Sequence, residues 1–300
     1  MRDVAQASGV SATTVSFVLN GVTDQRISPA TRDRVMQAAR DLGYVPHGVA
    51  KALREGSSRI VLLGLPPGAR GGGSLGGYLR GLDEELAQHG HMLLVRQSAG
   101  ESLAPVVAAV SPRGVIDLSG LYQSEPATDG GWVNGLAAHT MVQLRHLADT
   151  GHRSVAMALP DDPGWVRLRE ARLRYAGEAA TRLGLGRLTT VTIPDDLAGT
   201  VAAVRELRDA APTVTAVAAF DDRVALRLLA ALRELGVTVP DGLAVIGFDD
   251  LGDGAFTVPA LTSVRIDAES SGRRAARIAL DLDTEDVAPS AADVVVRESA

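Results

Sequence analysis

The chain has 300 residues, of which 46% are hydrophobic, and this content is sufficient for one small and one larger domain. It contains no cysteine, which excludes disulfide bonds, thiolate catalysis and zinc sites with cysteine ligands. The formal net charge of -6 argues by itself against a nucleic-acid-binding protein.

The distribution of charge changes that interpretation. Residues 1–58 carry seven basic and five acidic side chains, a charge of +2, which leaves -8 for the remainder. A basic head on an acidic body is typical of a two-part DNA-binding regulator. No apolar run approaches the roughly 20 residues of a membrane-spanning helix, and the amino-terminal segment lacks the features of a signal peptide. We therefore predict a cytoplasmic protein without membrane contacts.

The first twenty residues have a helix-turn-helix pattern. Gly9 separates two short helical patterns and permits a sharp turn, and Ser11 can cap the second helix. Apolar residues at helical spacing would pack the two helices together, namely Val4, Ala5, Val15, Val18 and Leu19. The outward face then carries small and hydroxylated side chains beside Phe17, which suits a DNA major groove. An ordinary helical hairpin is the alternative.

A third helix and a short helical segment complete the head. Ser28 and Pro29 provide a cap and a first-turn proline, and Gly43 ends the helix. Its predicted apolar stripe consists of Val35, Ala38, Ala39 and Leu42. The segment 48–56 is marginal as an isolated helix, so it would be stable only when docked on DNA or on a second copy. We interpret it as a switch.

The body alternates strand and helix patterns. Buried strands are predicted at 59–65, 91–95, 155–159, 214–219 and 243–248, and an amphipathic helix at 78–89. This alternation favours parallel sheets covered on both faces, in which ligands bind beyond the carboxyl ends of the strands. That rule selects three acidic pairs, at 161–162, 221–222 and 249–250. They could coordinate a cation, but we favour hydrogen bonds to ligand hydroxyl groups.

The glycine-rich segment 71–76 matches both a dinucleotide-binding pattern and a hydrolase nucleophile pattern. Both motifs require a turn that leaves the strand directly, whereas Pro66 and Pro67 intervene here. We therefore interpret the segment as a loop that faces the cleft, and predict that the protein is not an enzyme.

Several segments carry a resemblance to one family. Residues 3–20, 42–46 and 49–54 resemble the headpiece and hinge helix of the LacI/GalR (lactose-repressor) family. Further matches follow in the family's order, at residues 146–153, 171–177, 235–250, 259–264 and 296–299. The resemblance implies an all-α helix-turn-helix head and an α/β body of two parallel-sheet subdomains, like a periplasmic binding protein.

The resemblance also implies roles for residues of the head and hinge. The expected base contacts are Ala12, Thr13, Phe17 and Leu53, and the expected phosphate contacts are Thr14, Ser16 and Asn20. Leu53 matches a leucine that wedges into the minor groove, and Val49, Ala50 and Lys51 match the rest of the hinge. The family commonly has arginine where Phe17 stands, so Phe17 favours a thymine methyl over a guanine contact.

In the body, the resemblance places Arg174, Asp221 and Asp249 at effector-contact positions, and Trp165 and Phe220 are candidate stacking platforms. Asp221 replaces the usual asparagine of the family. An acceptor-only carboxylate there favours a ligand rich in hydroxyl donors, or one with positive charge. The alternative for each aspartate is a helix cap or a turn, above all for Asp222 and Asp250.

The predicted domains are a head at 1–47, a hinge helix at 48–56 and a body at 57–300. Within the body we assign 57–151 and 267–285 to the first subdomain, and 152–266 and 286–300 to the second. Between Gly120 and Trp132 the chain is shorter than is usual in the family, which weakens the prediction for the first subdomain.

We predict a homodimeric transcriptional regulator, a repressor, that binds a near-palindromic double-stranded DNA operator. A small polar effector, a sugar, would bind between the subdomains, and no cofactor or metal is expected. One alternative is a DNA-binding regulator with a degenerate effector pocket. Another is a stand-alone sugar-binding protein.

Overall fold

The computed structural model describes residues 1–19, 27–44, 57–65, 73–97, 102–118, 131–288 and 290–300. The chain divides into two compact units, Met1–Ser58 and Arg59–Ala300. The predicted hinge helix at 48–56 lies outside the described residues. So do five residues with predicted roles: Asn20, Val49, Ala50, Lys51 and Leu53.

The first unit contains three helices, α1 (Arg2–Ser8), α2 (Ala12–Leu19) and α3 (Pro29–Asp41). Gly9 follows α1 with φ 66°, in the left-handed region that favours glycine. Ser11 caps α2, because its Oγ accepts a hydrogen bond from the backbone N–H of Thr14 at 3.1 Å. The predicted helix-turn-helix is confirmed.

All three helices share one small core. Val4, Val15 and Val35 are fully buried at its centre. The predicted cap of α3 is confirmed, with Ser28 Oγ accepting from the N–H of Thr31 at 3.2 Å. The prediction for Leu42 is wrong: its side chain is 50% exposed, because α3 ends at Asp41 and the chain turns there. Tyr44 packs against the core.

The second unit begins with a parallel three-stranded sheet in the order β2-β1-β3. Its elements are β1 (Ile60–Leu65), α4 (Gly73–Gln88), β2 (Met92–Gln97), α5 (Ala104–Val110) and β3 (Gly114–Asp117). Apolar residues of β1 pack on the buried face of α4, which carries Tyr78, Leu82 and Leu86. The prediction of a loop at 71–76 is wrong from Gly73 onward, because α4 begins at that residue.

A six-stranded sheet follows in the order β5-β4-β6-β7-β8-β9. Its strands are β4 (Val155–Pro160), β5 (Thr189–Ile193), β6 (Ala216–Ala219), β7 (Ala244–Phe248), β8 (Thr262–Ile266) and β9 (Ala292–Val295). The helices before and between these strands are α6 (Gly131–Asp149), α7 (Val166–Arg182), α8 (Leu197–Ala210), α9 (Asp222–Glu234) and α10 (Ala268–Ala279). Two short 3-10 helices are also present, at Pro163–Trp165 and Asp253–Phe256. All pairings are parallel except that of β8 with β9. The central strands are buried throughout, as expected for a sheet covered on both faces.

The chain crosses between the two sheets near Asp267 and again near Ser290. After β8 it crosses to α10, which packs on α4, and it then returns to β9. The two crossings are joined, because Asp267 N–H donates to Ala291 O at 2.9 Å and Ser290 Oγ donates to Asp267 O at 2.8 Å. The sheets are therefore linked by a hydrogen-bonded pair of segments.

The predicted subdomain limits differ from the packing at one element. Helix α6 precedes the predicted boundary near residue 151, yet its Leu136, Leu144 and Leu147 lie in the core of the six-stranded sheet. The alternating α/β body itself is confirmed. In the ranges that the structure describes, no helix is long and apolar enough to cross a membrane.

Candidate functional site

Helix α2 has two distinct faces. Val15 and Val18 are buried in the core of the head, whereas Ala12 and Thr13 are exposed and Phe17 is half-buried. The two remaining described residues with predicted DNA contacts, Thr14 and Ser16, are also half-buried. The Thr14 hydroxyl hydrogen-bonds Ser11 Oγ at 2.9 Å.

The charge at the amino terminus of α2 suits an anion. No acidic residue stands in its first turn, so no carboxylate there opposes the positive end of the helix dipole. Free N–H groups at such an end bind phosphate oxygens well. The exposed face of α2 can therefore meet a phosphate backbone.

In the body, Asp221 and Asp249 lie at the carboxyl ends of neighbouring parallel strands. Ala218 of β6 is paired with Ile246 of β7, and each aspartate stands three residues beyond its member of that pair. Adjacent strands lie about 4.8 Å apart, so the two aspartates stand side by side. The structure thus brings together two residues with predicted effector contacts.

Asp249 connects the two sheets of the body. Ser74, in the first turn of α4, donates its hydroxyl to Asp249 Oδ1 at 2.5 Å. Burial and the nearby charge of Asp221 raise the pKa of Asp249 to about 6, although the Ser74 hydrogen bond and the charges of Arg172 and Arg223 oppose the rise. The carboxylate is ionised at neutral pH and held by a neutral hydroxyl group.

The two aspartates at the start of α9 have different roles. Asp221 is the N-cap, and its Oδ1 accepts from the N–H of Val224 at 2.8 Å. Asp222, interpreted from the sequence as a cap or turn residue, is fully buried and accepts hydrogen bonds from Phe248, Leu251 and Ser263. The prediction for Asp222 is therefore wrong, because the carboxylate turns inward beneath the β7 end.

Arg172 is a buried cation that sequence reasoning missed. It is only 1% exposed, and its guanidinium carbon lies 3.5 Å from the centre of the Phe248 ring. Its NH2 group donates to Gln143 Oε1 at 2.9 Å and to Ala219 O at 3.3 Å, while its Nε has no partner in the described structure. Burial lowers the pKa of Arg172 to about 10, and the charges of Asp249 and Asp221 oppose this shift.

The spacing of α7 contains the signal that would have identified Arg172. It stands four residues before Ala176 and seven before Ala179, and both alanines are buried. These are positions of the apolar stripe of a helix. An arginine on such a stripe must find partners inside the protein.

Gln143 ties the two strand ends together. Its Nε2 donates to Ala219 O at 2.8 Å and to Gly247 O at 3.0 Å, across the gap between β6 and β7. This buried glutamine was also not identified from the sequence. It thereby fixes the ends of β6 and β7, after which Asp221 and Asp249 follow, relative to each other.

The other residues with predicted effector contacts are placed as follows. Phe220 is buried, with its ring 6.1 Å from that of the half-buried Trp165 in an edge-to-face arrangement. Arg174 is exposed on α7, and its NH2 group donates to the Tyr175 hydroxyl at 3.2 Å. The geometry thus places Phe220 beneath the surface and Arg174 beside Tyr175.

A cavity of about 420 Å³ opens at the junction of the two sheets. Gly77 and Arg80 of α4 line one side of it, and Asp249 and Asp250 line the other. Its volume lies within the range of about 300–1,000 Å³ that is usual for ligand pockets. Charged residues make up seven of the eleven that line it, which suits a polar ligand, and of the residues with predicted effector contacts only Asp249 is among the eleven.

Asp250 stiffens the far side of this cavity. It accepts from Arg297 NH2 at 2.8 Å and from Arg265 Nε at 2.8 Å. Although burial raises the pKa of Asp250, the two arginines outweigh that effect and hold the pKa below its ordinary value. The turn after β7 is thereby anchored to β8 and to the segment after β9.

Comparison with protein families gives two matches. The family described as bacterial regulatory proteins, lacI family, matches residues 1–47. The periplasmic binding protein-like domain matches residues 144–300, which is more than half of the chain.

Similar proteins and solved structures agree with these matches. The HTH-type transcriptional regulator CelR of Thermobifida fusca is 31% identical over 93% of this chain and 90% of its own. GalR of Escherichia coli (strain K12) is 27% identical over 94% of this chain and 88% of its own. Among structures, the lac repressor dimer bound to operator and the anti-inducer ONPF has a TM-score of 0.77 at 20% identity, covering 99% of this chain and 97% of that one. A CelR–cellobiose complex has a TM-score of 0.62 at 27% identity, covering 99% and 98%.

Proposed function

The chain belongs to the LacI family of DNA-binding transcriptional regulators, and we propose that it is a dimeric repressor controlled by a carbohydrate bound between its two sheets. In this proposal the effector contacts Asp249 and Asp221 with its hydroxyl groups, and Arg174 and Trp165 complete the site. Operator affinity then depends on how the effector changes the opening between the sheets.

The hydrogen bond between Ser74 and Asp249 is the observation that carries the proposal. It joins a helix of the first sheet directly to a strand end of the second. A sugar hydroxyl can replace the Ser74 hydroxyl as donor to the same carboxylate, because both are neutral O–H groups. Effector binding and the link between the sheets then compete for one acceptor.

The related CelR has been solved with cellobiose at 27% identity, which supports a carbohydrate as the effector class. Asp221 distinguishes this site from a site with asparagine at the same position, because a carboxylate only accepts hydrogen bonds. The site therefore favours ligands with many hydroxyl donors.

Dimer formation is supported by exposed apolar side chains. Phe256 and Val258 follow one another closely between β7 and β8, and they are 88% and 90% exposed. Large side chains that are exposed to this degree and lie close together typically mark an interface. A second copy of the chain is the occupant that the proposal assigns to them.

For DNA, we propose that Ala12, Thr13 and Phe17 contact base edges and that Thr14 and Ser16 contact phosphates. Asn20, the hinge residues Val49, Ala50 and Lys51, and Leu53 keep their predicted roles. Two such heads in one dimer would require a near-palindromic operator.

The test is an operator-binding assay with added sugars. The protein first selects its preferred duplex from a random pool. Labelled operator is then titrated at fixed salt, with and without cellobiose or D-galactose. We expect one sugar to change operator affinity by at least about fivefold, as is usual for allosteric coupling. Asp249→Asn is expected to lose this response while still binding the operator.

The outcomes separate the alternatives. If a sugar raises the melting temperature but leaves operator affinity unchanged, the proposed switch is refuted. If no sugar in a wider thermal-shift panel binds, the protein is a regulator with a degenerate pocket. A purified monomer without preference for any duplex would overturn the proposal as a whole.

A further inference from the structure

The backbone around Asp249 is held by residues that lie outside the cavity. Asp222 Oδ1 accepts from the N–H of Phe248 at 2.8 Å, and Asp222 Oδ2 accepts from the N–H of Leu251 at 2.7 Å. One carboxylate of α9 thus clamps both ends of the four-residue turn 248–251.

Ser263 holds the middle of the same turn. Its Oγ accepts from the N–H of Asp250 at 3.2 Å and donates to Asp222 Oδ1 at 2.5 Å. The N–H of Asp249 donates to Val264 O at 2.8 Å. Every backbone N–H of the turn therefore has a partner on α9 or β8.

The turn needs this support because its conformation is unfavourable. Asp249 has φ 94° and Asp250 has φ 43°, and side chains with a Cβ rarely adopt such values. Strained residues persist where the surrounding structure fixes them. We call Asp222 and Ser263, which bond this turn, the clamp. Without the clamp, the Asp249 carboxylate would have no fixed direction toward Ser74.

The chemistry of the clamp requires a carboxylate. Three donors converge on Asp222, namely two backbone N–H groups and the Ser263 hydroxyl. An asparagine would turn its NH₂ group toward one of the two backbone N–H groups, whichever way its amide pointed. Gly247 leaves room for the carboxylate, since a Cβ there would lie 2.1 Å from Asp222 Oδ1.

We propose that Asp222, with Ser263, is a positioning residue that directs Asp249 toward the effector and toward Ser74. This inference rests on the proposed function, because that proposal assigns the effector to Asp249. Asp222 and Ser263 are both fully buried, so they act through the turn and not by contact with the effector. Burial raises the pKa of Asp222 to about 6, and its hydrogen bonds oppose the rise, so the clamp is ionised at neutral pH.

The chain offers a matched pair of serines for the test. Ser299 is buried like Ser263, and it also joins β7 to the start of β8, donating to Val245 O at 2.6 Å and accepting from Thr262 N–H at 2.9 Å. Its contact on β7, at Val245, lies near the start of that strand and four residues before Asp249. Ser263→Ala and Ser299→Ala each remove one buried hydroxyl without a change in charge.

The first measurement needs no effector. Carbon-13 NMR of the aspartate side-chain carboxyls follows the titration of Asp249, whose signal is assigned with Asp249→Asn. We expect Ser263→Ala to raise the Asp249 pKa, because the Ser74 hydrogen bond that lowers it becomes weaker. Ser299→Ala should leave it unchanged. Equal pKa values of Asp249 in wild type and Ser263→Ala would overturn the inference.

The second measurement is calorimetric titration with cellobiose and D-galactose. Ser263→Ala and Asp222→Asn should weaken the binding of the active sugar by about tenfold, the usual effect of losing one hydrogen bond. Ser299→Ala should change it by less than about twofold, and all three variants should still bind the operator without sugar.

Asp249→Asn separates the two proposals. If it abolishes sugar binding and Ser263→Ala does not weaken it, the positioning role is wrong and the effector site stands. If Asp249→Asn leaves sugar binding intact, the proposed effector site is wrong, and the NMR titration alone then decides the positioning role.

Discussion

A Cβ atom on Gly81 would lie 2.1 Å from the carbonyl oxygen of Glu269, so the backbones of α4 and α10 are in direct contact. Gly272 is equally close from the other side, with its Cβ position 2.1 Å from Tyr78 O. A separation below 3 Å leaves no room for a methyl group, and the obstacle is backbone in both cases. The two helices therefore act as one rigid block beneath the first sheet.

Gly272→Ala should destabilise the protein. The added methyl group forces α10 away from α4, and overpacking of this kind costs about 1–3 kcal/mol or more. Urea denaturation followed by circular dichroism measures the free energy of unfolding. Gly76→Ala is the control, because Gly76 lies on α4 with nothing within 4 Å of its Cβ position. That variant should be neutral or stabilised by up to about 1 kcal/mol, and equal effects at both positions would contradict the close contact.

Arg172→Lys should reduce the free energy of unfolding by at least about 2 kcal/mol, since lysine cannot replace both the forked hydrogen bonds and the stacking on Phe248. Gln143 Oε1 would lose its guanidinium donor inside the core. Arg174→Lys, two positions along the same helix, should change stability by less than about 0.5 kcal/mol because Arg174 is exposed. Similar losses for both variants in thermal and urea unfolding would show that Arg172 is not the buried cation.

The pKa of Asp249, raised from 3.8 to about 6, gives a specific pH dependence. Between about pH 4 and pH 6 the folded protein keeps a proton that the unfolded chain releases, so the stability contributed by this group falls as the pH rises through that range. Above about pH 6, Asp249 is ionised in both states, and its destabilising effect no longer changes with pH.

Asp249→Asn removes this titration, and asparagine tolerates a positive φ. Relative to wild type, its free energy of unfolding should therefore improve as the pH increases from 4 to 6 and then level off. Urea unfolding of both proteins at half-unit pH intervals measures the difference. Two parallel curves would show that the Asp249 pKa is not raised.

Replacing Phe256 and Val258 together by aspartate should convert the dimer into a monomer, because charged groups at an apolar interface lose their hydration. Sedimentation equilibrium gives the mass directly. Leu197→Asp is the control, since this 44% exposed leucine follows β5, an edge strand separated from β7 by β4 and β6. A dimer that survives the double substitution would place the interface elsewhere.

Phe17→Ala should weaken operator binding by about 1–3 kcal/mol and leave non-specific DNA binding and its salt dependence intact. Fluorescence anisotropy with the operator and with a scrambled duplex measures both affinities. Met36→Ala changes an exposed residue of α3 in the same head and should affect neither. Equal losses on the two duplexes would indicate that Phe17 supports the head without reading bases.

The sequence patterns predict the parts of the molecule that follow from local chemistry. The turn at Gly9 and the helix caps at Ser11 and Ser28 lie where the sequence predicts them, since turns and caps depend on a few neighbouring residues. The rule that ligand groups follow parallel strands selects three acidic pairs, and the family resemblance singles out Asp221 and Asp249 among them. Their side-by-side position then follows from the register of β6 and β7.

The patterns do not identify residues whose role depends on distant partners. Arg172 is one of four arginines between residues 167 and 174, and only its place on the buried stripe separates it from the others. The sequence pattern allows either Asp221 or Asp222 to cap α9. The structure shows that Asp221 is the cap, which leaves Asp222 for the interior. Gly81 and Gly272 carry no local signal, since their contact joins segments nearly two hundred residues apart.

The crossings near Asp267 and Ala291 form one hydrogen-bonded joint between the two sheets. Since each crossing is hydrogen-bonded to the other, the two segments must move together whenever the angle between the sheets changes.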